Sequence, residues 1–289
     1  MQVMTNLQQF IAVHPRLFVL TGAGCSTDSG IPDYRDRDGQ WKRATTPVMY
    51  AAFMHEALVR QRYWARSMLG WPRFRAVLPN AAHRALAELE RRGQVGLLVT
   101  QNVDRLHQHA GSRRVVDLHG RLDRVRCMAC QATWLRDDYQ RELLAANPAW
   151  AGLDAATAPD GDAELDGHDF SRFVVPACPH CGGIVKPDVV FFGEAVPRER
   201  VDAANHAWQA ADAVLVVGSS LMVYSGYRFV RAAALAGKPV AAVTLGHTRA
   251  DPLLTLKLDA NCSEALAFLD PLHAQAKPDV AVAPTVPSA

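Results

Sequence analysis

The chain has 289 residues, 49% of them apolar, and a formal charge of +2 at pH 7. That length suits one large domain or a large domain carrying a smaller insert, and the apolar share is enough to fill a core. Near-balanced charge argues against broad electrostatic binding to nucleic acid, and no apolar run approaches the ~20 residues that span a bilayer. The opening MQVMTNLQQF shows no basic segment followed by an apolar one, so no secretory signal is expected. A cytoplasmic location follows, and in that compartment paired cysteines serve better as metal ligands than as disulfides.

Residues 6–13 read as a short helix ended by His14-Pro15, and the apolar run 17–20 as a strand. That strand stops at Thr21-Gly22-Ala23-Gly24, with a helix start expected behind it. Strand, glycine turn and helix N-terminus are the parts of a phosphate cradle, because glycine lets backbone N–H groups approach an anion closely. Thr27 stands where the dinucleotide fingerprint wants its third glycine, and no second strand ends in a ribose-binding acid about 20 residues on. Routine hydride transfer is therefore not expected, and a turn that holds no ligand fits the same glycines. The polar run that follows, with Asp33, Tyr34, Arg35 and Asp36, reads as a loop closing over a nucleotide.

Residues 47–69 read as helical, broken at Gly70-Trp71-Pro72. Their arginines, with Arg73 and Arg75 and the group Arg121, Arg124 and Arg126, are expected on solvated faces. Asn80 caps the next helix, whose Ala82, Leu86 and Leu89 share one face and whose C-cap is Gly93. A strand over 95–100 ends at Gln101-Asn102-Val103-Asp104. After a short helix and a Gly111 turn, a strand over 115–118 ends at His119-Gly120. Residues 121–183 break this rhythm, and 147–167 are rich in Ala, Asp, Gly and Pro. Regular structure resumes over 184–192, followed by a helix over 197–211 and a strand over 214–217 ending at Gly218-Ser219-Ser220. A helix over 226–236 precedes a strand over 240–245, and the tail from residue 274 is expected to be loose. Strand–helix alternation with apolar strands implies an α/β chain whose parallel sheet is covered on both faces. Thr21-Gly22, Gln101 to Asp104, His119, Gly218 to Ser220 and Thr244 then lie at one sheet edge, where such sheets bind ligands.

Cys127-x-x-Cys130 and Cys178-x-x-Cys181 are the sharpest signal. Two residues between cysteines let one turn present both sulfurs to an ion, and two such knuckles complete a tetrahedron for one structural Zn2+. A redox dithiol or unrelated buried thiols are the alternative reading. His119, with little bulk beside it, suits general-base work near neutral pH, although a lone histidine also serves as a structural residue. Asn102 and Asp104 suit ribose hydroxyls or a positioned water, or they cap the helix behind them. Gly218-Ser219-Ser220 suits a phosphate or ribose, or an ordinary helix cap. Cys25 and Cys262 have no histidine partner nearby in sequence and read as small packing residues rather than nucleophiles. Asp28 reads as a helix-terminus charge.

Taken together, TGAGCSTDSGIPDYR (21–35), PNAAHRAL (79–86), TQNVDRLHQHAG (100–111), DLHG (117–120), the cysteine knuckles, KPDVVFFGE (186–194) and VVGSSL (216–221) resemble the sirtuins, the NAD-dependent protein-lysine deacylases. The order is the family's, over residues 17–270. RQRYWAR (60–66), KPDVVFFGE and VYSGYRF (223–229) look most like its class II branch. The resemblance implies a Rossmann-type doubly wound sheet with an inserted small domain made of a zinc module and a helical module. Its boundaries fall at 1–45, 79–120 and 184–273 for the NAD-binding domain, 46–78 for the helical module and 121–183 for the zinc module, with 274–289 as tail.

The resemblance further implies that NAD and an acyl-lysine protein or peptide meet between these parts. Gly22, Ala23, Gly24, Ser26, Thr27, Asp33, Tyr34 and Arg35 would hold or cover the dinucleotide. Gln101, Asn102, Val103 and Asp104 would line its nicotinamide and ribose pocket, with Asn102 and Asp104 joining His119 in catalysis. Gly218, Ser219 and Ser220 would meet phosphate and ribose, Thr244, Leu245 and Gly246 the second ribose, and Cys262 the adenine side. Val190, Phe191, Phe192, Gly193 and Glu194 would pair with the substrate backbone. NAD is consumed as a co-substrate: the acyl oxygen attacks the ribose carbon bearing nicotinamide. His119 then deprotonates a ribose hydroxyl, and free lysine and O-acyl-ADP-ribose are released.

Two departures stand out. Thr244 replaces the family's usual asparagine. Tyr63-Trp64-Ala65-Arg66 has the spacing of a Tyr-x-x-Arg pair that would bind acidic acyl chains, though a helix-surface arginine fits the same place. Mono-ADP-ribosyl transfer from the same NAD site is the rival activity. A non-catalytic, NAD-sensing zinc-ribbon module is the rival of another class.

Overall fold

A computed structural model describes residues 5–42, 47–153, 165 and 167–275. In chain order the elements begin with α1 (Asn6–Val13), β1 (Leu17–Thr21), α2 (Tyr50–His55), α3 (Ala57–Phe74), α4 (Ala81–Arg91), β2 (Val95–Thr100), α5 (Leu106–His109) and β3 (Val115–Asp117). They continue with β4 (Gly120–Cys127), β5 (Thr133–Leu135), α6 (Arg136–Ala146), β6 (Val185–Val189), α7 (Arg198–Ala210) and β7 (Ala213–Val217). The last described elements are α8 (Tyr224–Leu235), β8 (Val240–Val243), β9 (Leu256–Leu258), α9 (Cys262–Leu266) and α10 (Pro271–Gln275).

Six parallel strands form the large sheet in the order β3-β2-β1-β7-β8-β9, the doubly wound arrangement of dinucleotide-binding folds. Leu17 and Val19 of β1 face one core with Leu7, Phe10 and Leu86. Phe18 and Leu20 face the other, with Trp208, Phe229 and Val230. Burial on both faces is why these strands are continuously apolar. The sixth strand, β9, is too short and too interrupted by Lys257 to stand out in the sequence.

Strand β6, which the expected boundary at 184 assigns to the NAD-binding domain, does not join the parallel sheet. It pairs antiparallel with β4, Cys127 opposite Val185, in a separate sheet of order β5-β4-β6. The cause is the knuckles: Cys181 lies against Cys127 at the end of β4, so chain leaving the second knuckle runs back along the first. Residues of α2, α3, the small sheet and α6 share a single core around Phe53, Tyr63, Trp64, Val125 and Tyr139.

Helix α3 runs through Gly70-Trp71-Pro72 rather than breaking there. A proline inside a helix leaves the carbonyl four residues earlier without its N–H. Here that carbonyl, Met68, accepts from Gln140 Nε2 at 2.8 Å. Gln140 Oε1 in turn accepts from the buried Arg136 at 2.7 Å, whose guanidinium lies over Trp64 and Trp71. The expected helix after the glycine turn is also absent. Two short 3-10 turns, Ala23–Cys25 and Thr27–Ser29, take its place, closed by bonds from Cys25 N to Gly22 O at 2.9 Å and from Ser26 N to Ala23 O at 3.0 Å, while the Gly24 N–H donates to Gly218 O at 2.8 Å. The arginines are not uniformly solvated: Arg60 donates to the carbonyls of Phe53 and Met54 at the end of α2, and Arg126 pairs with Asp188 at 3.1 Å. Among the described residues no helix is long and apolar enough to cross a membrane. The tail from residue 276 and most of 154–166 lie outside the described residues.

Gln140→Ala should cost about 2 kcal/mol by stranding the Met68 carbonyl and removing an Arg136 acceptor. Adding Pro72→Ala, which restores a backbone donor, should recover part of it; denaturant midpoints of the two single variants and the double variant measure the coupling.

Candidate active site

Two glycine loops meet at the edge of the large sheet, where β1 and β7 end side by side. The Gly22 N–H donates to Val217 O at 3.1 Å, beside the Gly24 to Gly218 bond. No side chain fits between them. A Cβ on Gly22 would stand 2.8 Å from that of Ser219, and one on Gly218, whose φ is +64, would stand 2.1 Å from the Cys25 nitrogen. Ser219 Oγ donates to Gln101 Oε1 at 2.6 Å, and Gln101 lies against Gly226 of α8. Thr27 Oγ donates to Gly24 O at 3.1 Å, so the residue in the third glycine's place tightens the turn.

Polar groups of the β2 end face this turn. Asn102 Nδ2 donates to Gly22 O at 3.1 Å and to Ser26 Oγ at 3.0 Å, and Ser26 Oγ donates to Asp104 Oδ2 at 2.7 Å. Asp104 also accepts from Leu106 N at 2.9 Å, so it caps α5 as well as facing the site. Burial raises its pKa, with the Leu106 and Ser26 bonds acting against the shift. His119 sits on the next strand end. Its Nδ1 lies 3.0 Å from Gln101 O, which can only accept, so Nδ1 carries the proton. Nε2 then offers its lone pair to the Ser225 hydroxyl at 2.7 Å. Burial pulls the imidazole down to about 4, with the Gln101 bond opposing and the charges of Arg200 and Arg228 assisting. A neutral ring with one fixed lone pair is the state a general base requires.

Two segments border this edge. In the loop 31–42, Asp33 pairs with Lys42, and Arg35 donates to Gly39 O at 2.7 Å while its guanidinium lies over Trp41. Tyr34 meets Trp41 edge-on at 6.0 Å, and Trp41 meets Phe192 at 6.1 Å. The loop also touches the β8 end, where a Cβ on Gly246 would clash with Arg37. Next to it, Leu245 is exposed and Thr244 buried. In the second segment Val190 N donates to His119 O at 2.7 Å, fixing residues 190–194 beside the histidine. Glu194 accepts from Phe191 N at 2.9 Å and from the buried Lys186 at 3.1 Å. Gly193 has φ +81 at that turn. Tyr63 packs edge-on against Phe191 at 5.4 Å, and half-buried Arg66 follows one helical turn along α3. Tyr34, Trp41, Met49 and Phe192 expose apolar surface.

The four knuckle sulfurs all lie within 4.8 Å of one another, with Cys127–Cys181 at 3.5 Å and Cys130–Cys178 at 3.8 Å. A tetrahedral zinc with bonds of about 2.3 Å has sulfur–sulfur edges of about 3.8 Å, so the set fits that ion. The knuckles match in conformation. The N–H of Gln131 donates to Cys127 O and that of Gly182 to Cys178 O, both residues at positive φ. The Cys130 N–H, aimed at Cys127 Sγ, leads the groups that lower that thiol to about 6, favouring the thiolate. Cys25 and Cys262 are buried in the core, and Cys262 Sγ lies 3.6 Å from Val243 O. Asp28 accepts from Asn261 Nδ2 at 3.0 Å, joining the second 3-10 turn to the cap of α9.

Several contributors were not legible in the sequence. Ser225 is an ordinary hydroxyl near a helix start until β3 brings His119 to it. His83 and His107 are buried side by side, ring centres 4.7 Å apart. Arg105 sits at φ +67, held by Asp117 and leading into α5.

A Rossmann-type sheet with a glycine cradle, a neutral histidine and a four-cysteine knuckle on an inserted sheet defines an NAD-binding class of enzyme fold. The model of the Sir2 family matches residues 22–225. A relative from Xanthomonas campestris pv. campestris named "NAD-dependent protein deacetylase" is 66% identical over 271 residues, 92% of each chain. Another of that name from Bordetella bronchiseptica is 66% identical over 261 residues, 90% of this chain and 95% of its own. The "NAD-dependent protein lipoamidase sirtuin-4, mitochondrial" of Bos taurus is 48% identical over 268 residues, 92% and 85%. Among solved structures, "Sir2-p53 peptide-NAD+" superposes with a TM-score of 0.74 at 28% identity, covering 93% of this chain and 97% of that one. The chain belongs to the Sir2 family.

Acid should weaken the fold through the buried histidines. Burial first and Arg84 second lower His83 to about 4, and burial first, with the His83 charge second, holds His107 well below its ordinary value. The unfolded chain takes up protons near pH 6.5 while the folded chain stays neutral, so stability falls as pH drops from about 6.5 toward 4. His83 alone contributes on the order of 3 kcal/mol to that loss; unfolding midpoints across this range check it. Glu194→Ala, which strands the buried Lys186 charge, should cost about 3 kcal/mol, and Lys186→Met should recover most of it in the same assay.

Proposed function

We propose that this protein is an NAD-dependent protein-lysine deacylase of the deacetylase type. The observation that carries the reading is His119, neutral and hydrogen-bonded through Gln101, set beside two zipped glycine loops. NAD, when bound, supplies a sugar carbon from which nicotinamide can leave. The chain's own residues then orient and accept. Gly22, Ala23, Gly24, Ser26 and Thr27 with Gly218, Ser219 and Ser220 would cradle phosphates and ribose, and Asp33, Tyr34 and Arg35 would cover them. Gln101, Asn102, Val103 and Asp104 would enclose the nicotinamide side, and Thr244, Leu245, Gly246 and Cys262 the adenine side. A sugar hydroxyl arriving at His119 Nε2 would take the position Ser225 Oγ now holds and give up its proton there.

We assign residues 190–194 to the acyl-lysine peptide, supported by the apolar rim of Trp41, Met49 and Phe192 beside them. Solved Sir2 relatives described as bound to acetylated and propionylated peptides favour the same class of substrate. Tyr63 and Arg66 would border the acyl chain. We place the chain in the class II branch on the stretches RQRYWAR (60–66), KPDVVFFGE (186–194) and VYSGYRF (223–229). We draw the large unit from 5–42, 79–119 and 195–275 and the small one from 47–78 and 120–194, a division the two separate sheets support. A cytoplasmic location suits a chain whose paired cysteines are ligands rather than disulfides.

Mass spectrometry of an acyl-lysine peptide incubated with enzyme and NAD tests the reading. Loss of the acyl mass with release of nicotinamide is expected; a gain of ADP-ribose would favour transfer to protein, and NAD binding without nicotinamide would favour a sensing module. His119→Ala should retain NAD binding, followed by calorimetry, while deacylation falls by about 10²–10⁴. Succinyl, glutaryl, lipoyl and long-chain peptides in the same assay would rank the acyl preference.

A further inference from the structure

Beneath the glycine turn lies a second group of metal-ligating side chains that the deacylase reading does not use. Cys25, His83 and His107 are buried, 1%, 0% and 1% exposed, and each brings a ligand atom within 4.8 Å of the others. His107 Nε2 is taken by Thr21 Oγ at 2.9 Å, whereas its buried Nδ1 has no hydrogen-bond partner. A buried nitrogen without a partner is costly and calls for an explanation. His83 Nδ1 faces both Asn80 Oδ1 at 2.9 Å and the Asn80 N–H at 3.3 Å; the shorter contact is to an oxygen that can only accept, so the proton is assigned to Nδ1 and the lone pair to Nε2. Histidines that ligate metals show this arrangement, one nitrogen on the ion and the other donating to an oxygen.

We propose that Cys25 Sγ, His83 Nε2 and His107 Nδ1 form a second metal site for zinc, and that filling it switches off turnover. One sulfur and two imidazole nitrogens are the donor set of a borderline-soft ion. Ser26 Oγ, 3.4 Å from His83 Nε2, supplies the fourth corner. Charge favours a divalent ion. On binding, the thiol proton leaves to solvent, and the thiolate with the nearby Asp104 carboxylate offsets the two charges, so no net charge is buried. The link to activity runs through Ser26. Its hydroxyl now joins Asn102 and Asp104, and ligation draws it off both, loosening the wall beside the glycine turn. Only this inhibitory effect rests on the proposed deacylase activity; metal binding does not.

The test uses the full chain with its four-cysteine site already holding one zinc. Titration with Co2+ should add one further equivalent and produce a sulfur-to-cobalt charge-transfer band, while the bound zinc, measured by elemental analysis, stays in place. X-ray absorption on the unmodified protein should show one sulfur with nitrogen and oxygen neighbours around cobalt. Cys25→Ser and, independently, His107→Gln should weaken this binding by more than about 100-fold, with Cys262→Ser leaving the band intact. Zinc added at the second site should suppress nicotinamide release with the midpoint of metal binding, and Cys25→Ser, whatever its own rate, should lose that suppression. Absence of a second equivalent, a cobalt shell of four sulfurs, or cobalt binding unchanged in Cys25→Ser overturns the site. Binding without suppression overturns the switch alone, and metal binding in a protein that releases no nicotinamide overturns the deacylase reading and not the site.

Discussion

The site depends on the contact of two backbones. Gly22 and Gly24 on one loop, and Gly218 on the other, approach so closely that a methyl group on Gly22 or Gly218 would collide with the opposite chain. The chain after β1 turns through 3-10 turns instead of a helix, and Gly24's N–H is used across the gap. The bend points Cys25 inward and brings Ser26 to Asn102 and Asp104. Every other polar group of the crevice is positioned relative to that seam, Ser219 and Gln101 from one side and Asn102 from the other.

The histidines show how one residue type serves different ends on one sheet edge. His119 is half-buried, oriented by a carbonyl, and its lone pair meets the Ser225 hydroxyl. His83 and His107 are shut off from water and act on the fold. Burial lowers all three, yet only His119 is joined through its backbone to the 190–194 segment. The backbone bond from Val190 to His119 joins the small sheet to the large one at the point where chemistry is expected. Lys186 and Glu194 hold the far side of that segment, so the substrate-facing turn is braced at both ends.

The legible parts of the fold were those whose physics is local. Asn80 capping α4, the apolar strands β1 and β2, and the Cys-x-x-Cys spacing each carry their signal within a few residues. The misread parts depended on a distant partner. Pro72 reads as a helix breaker until Gln140, far along the chain, satisfies the Met68 carbonyl. Residues 185–189 read as regular structure of the NAD-binding domain until the knuckles turn them back along β4. Short β9 gains its place only from pairing with β8.

The sequence by itself determined the family, the glycine cradle, the metal-binding cysteines and the histidine, because residue types at fixed spacings define those chemistries. Tertiary structure alone decided which lone pair His119 presents, that Ser225 stands before it, and that Cys25, His83 and His107 converge. Those facts depend on strands β1, β2 and β3 and helices α4, α5 and α8 coming together across separations that no local pattern encodes.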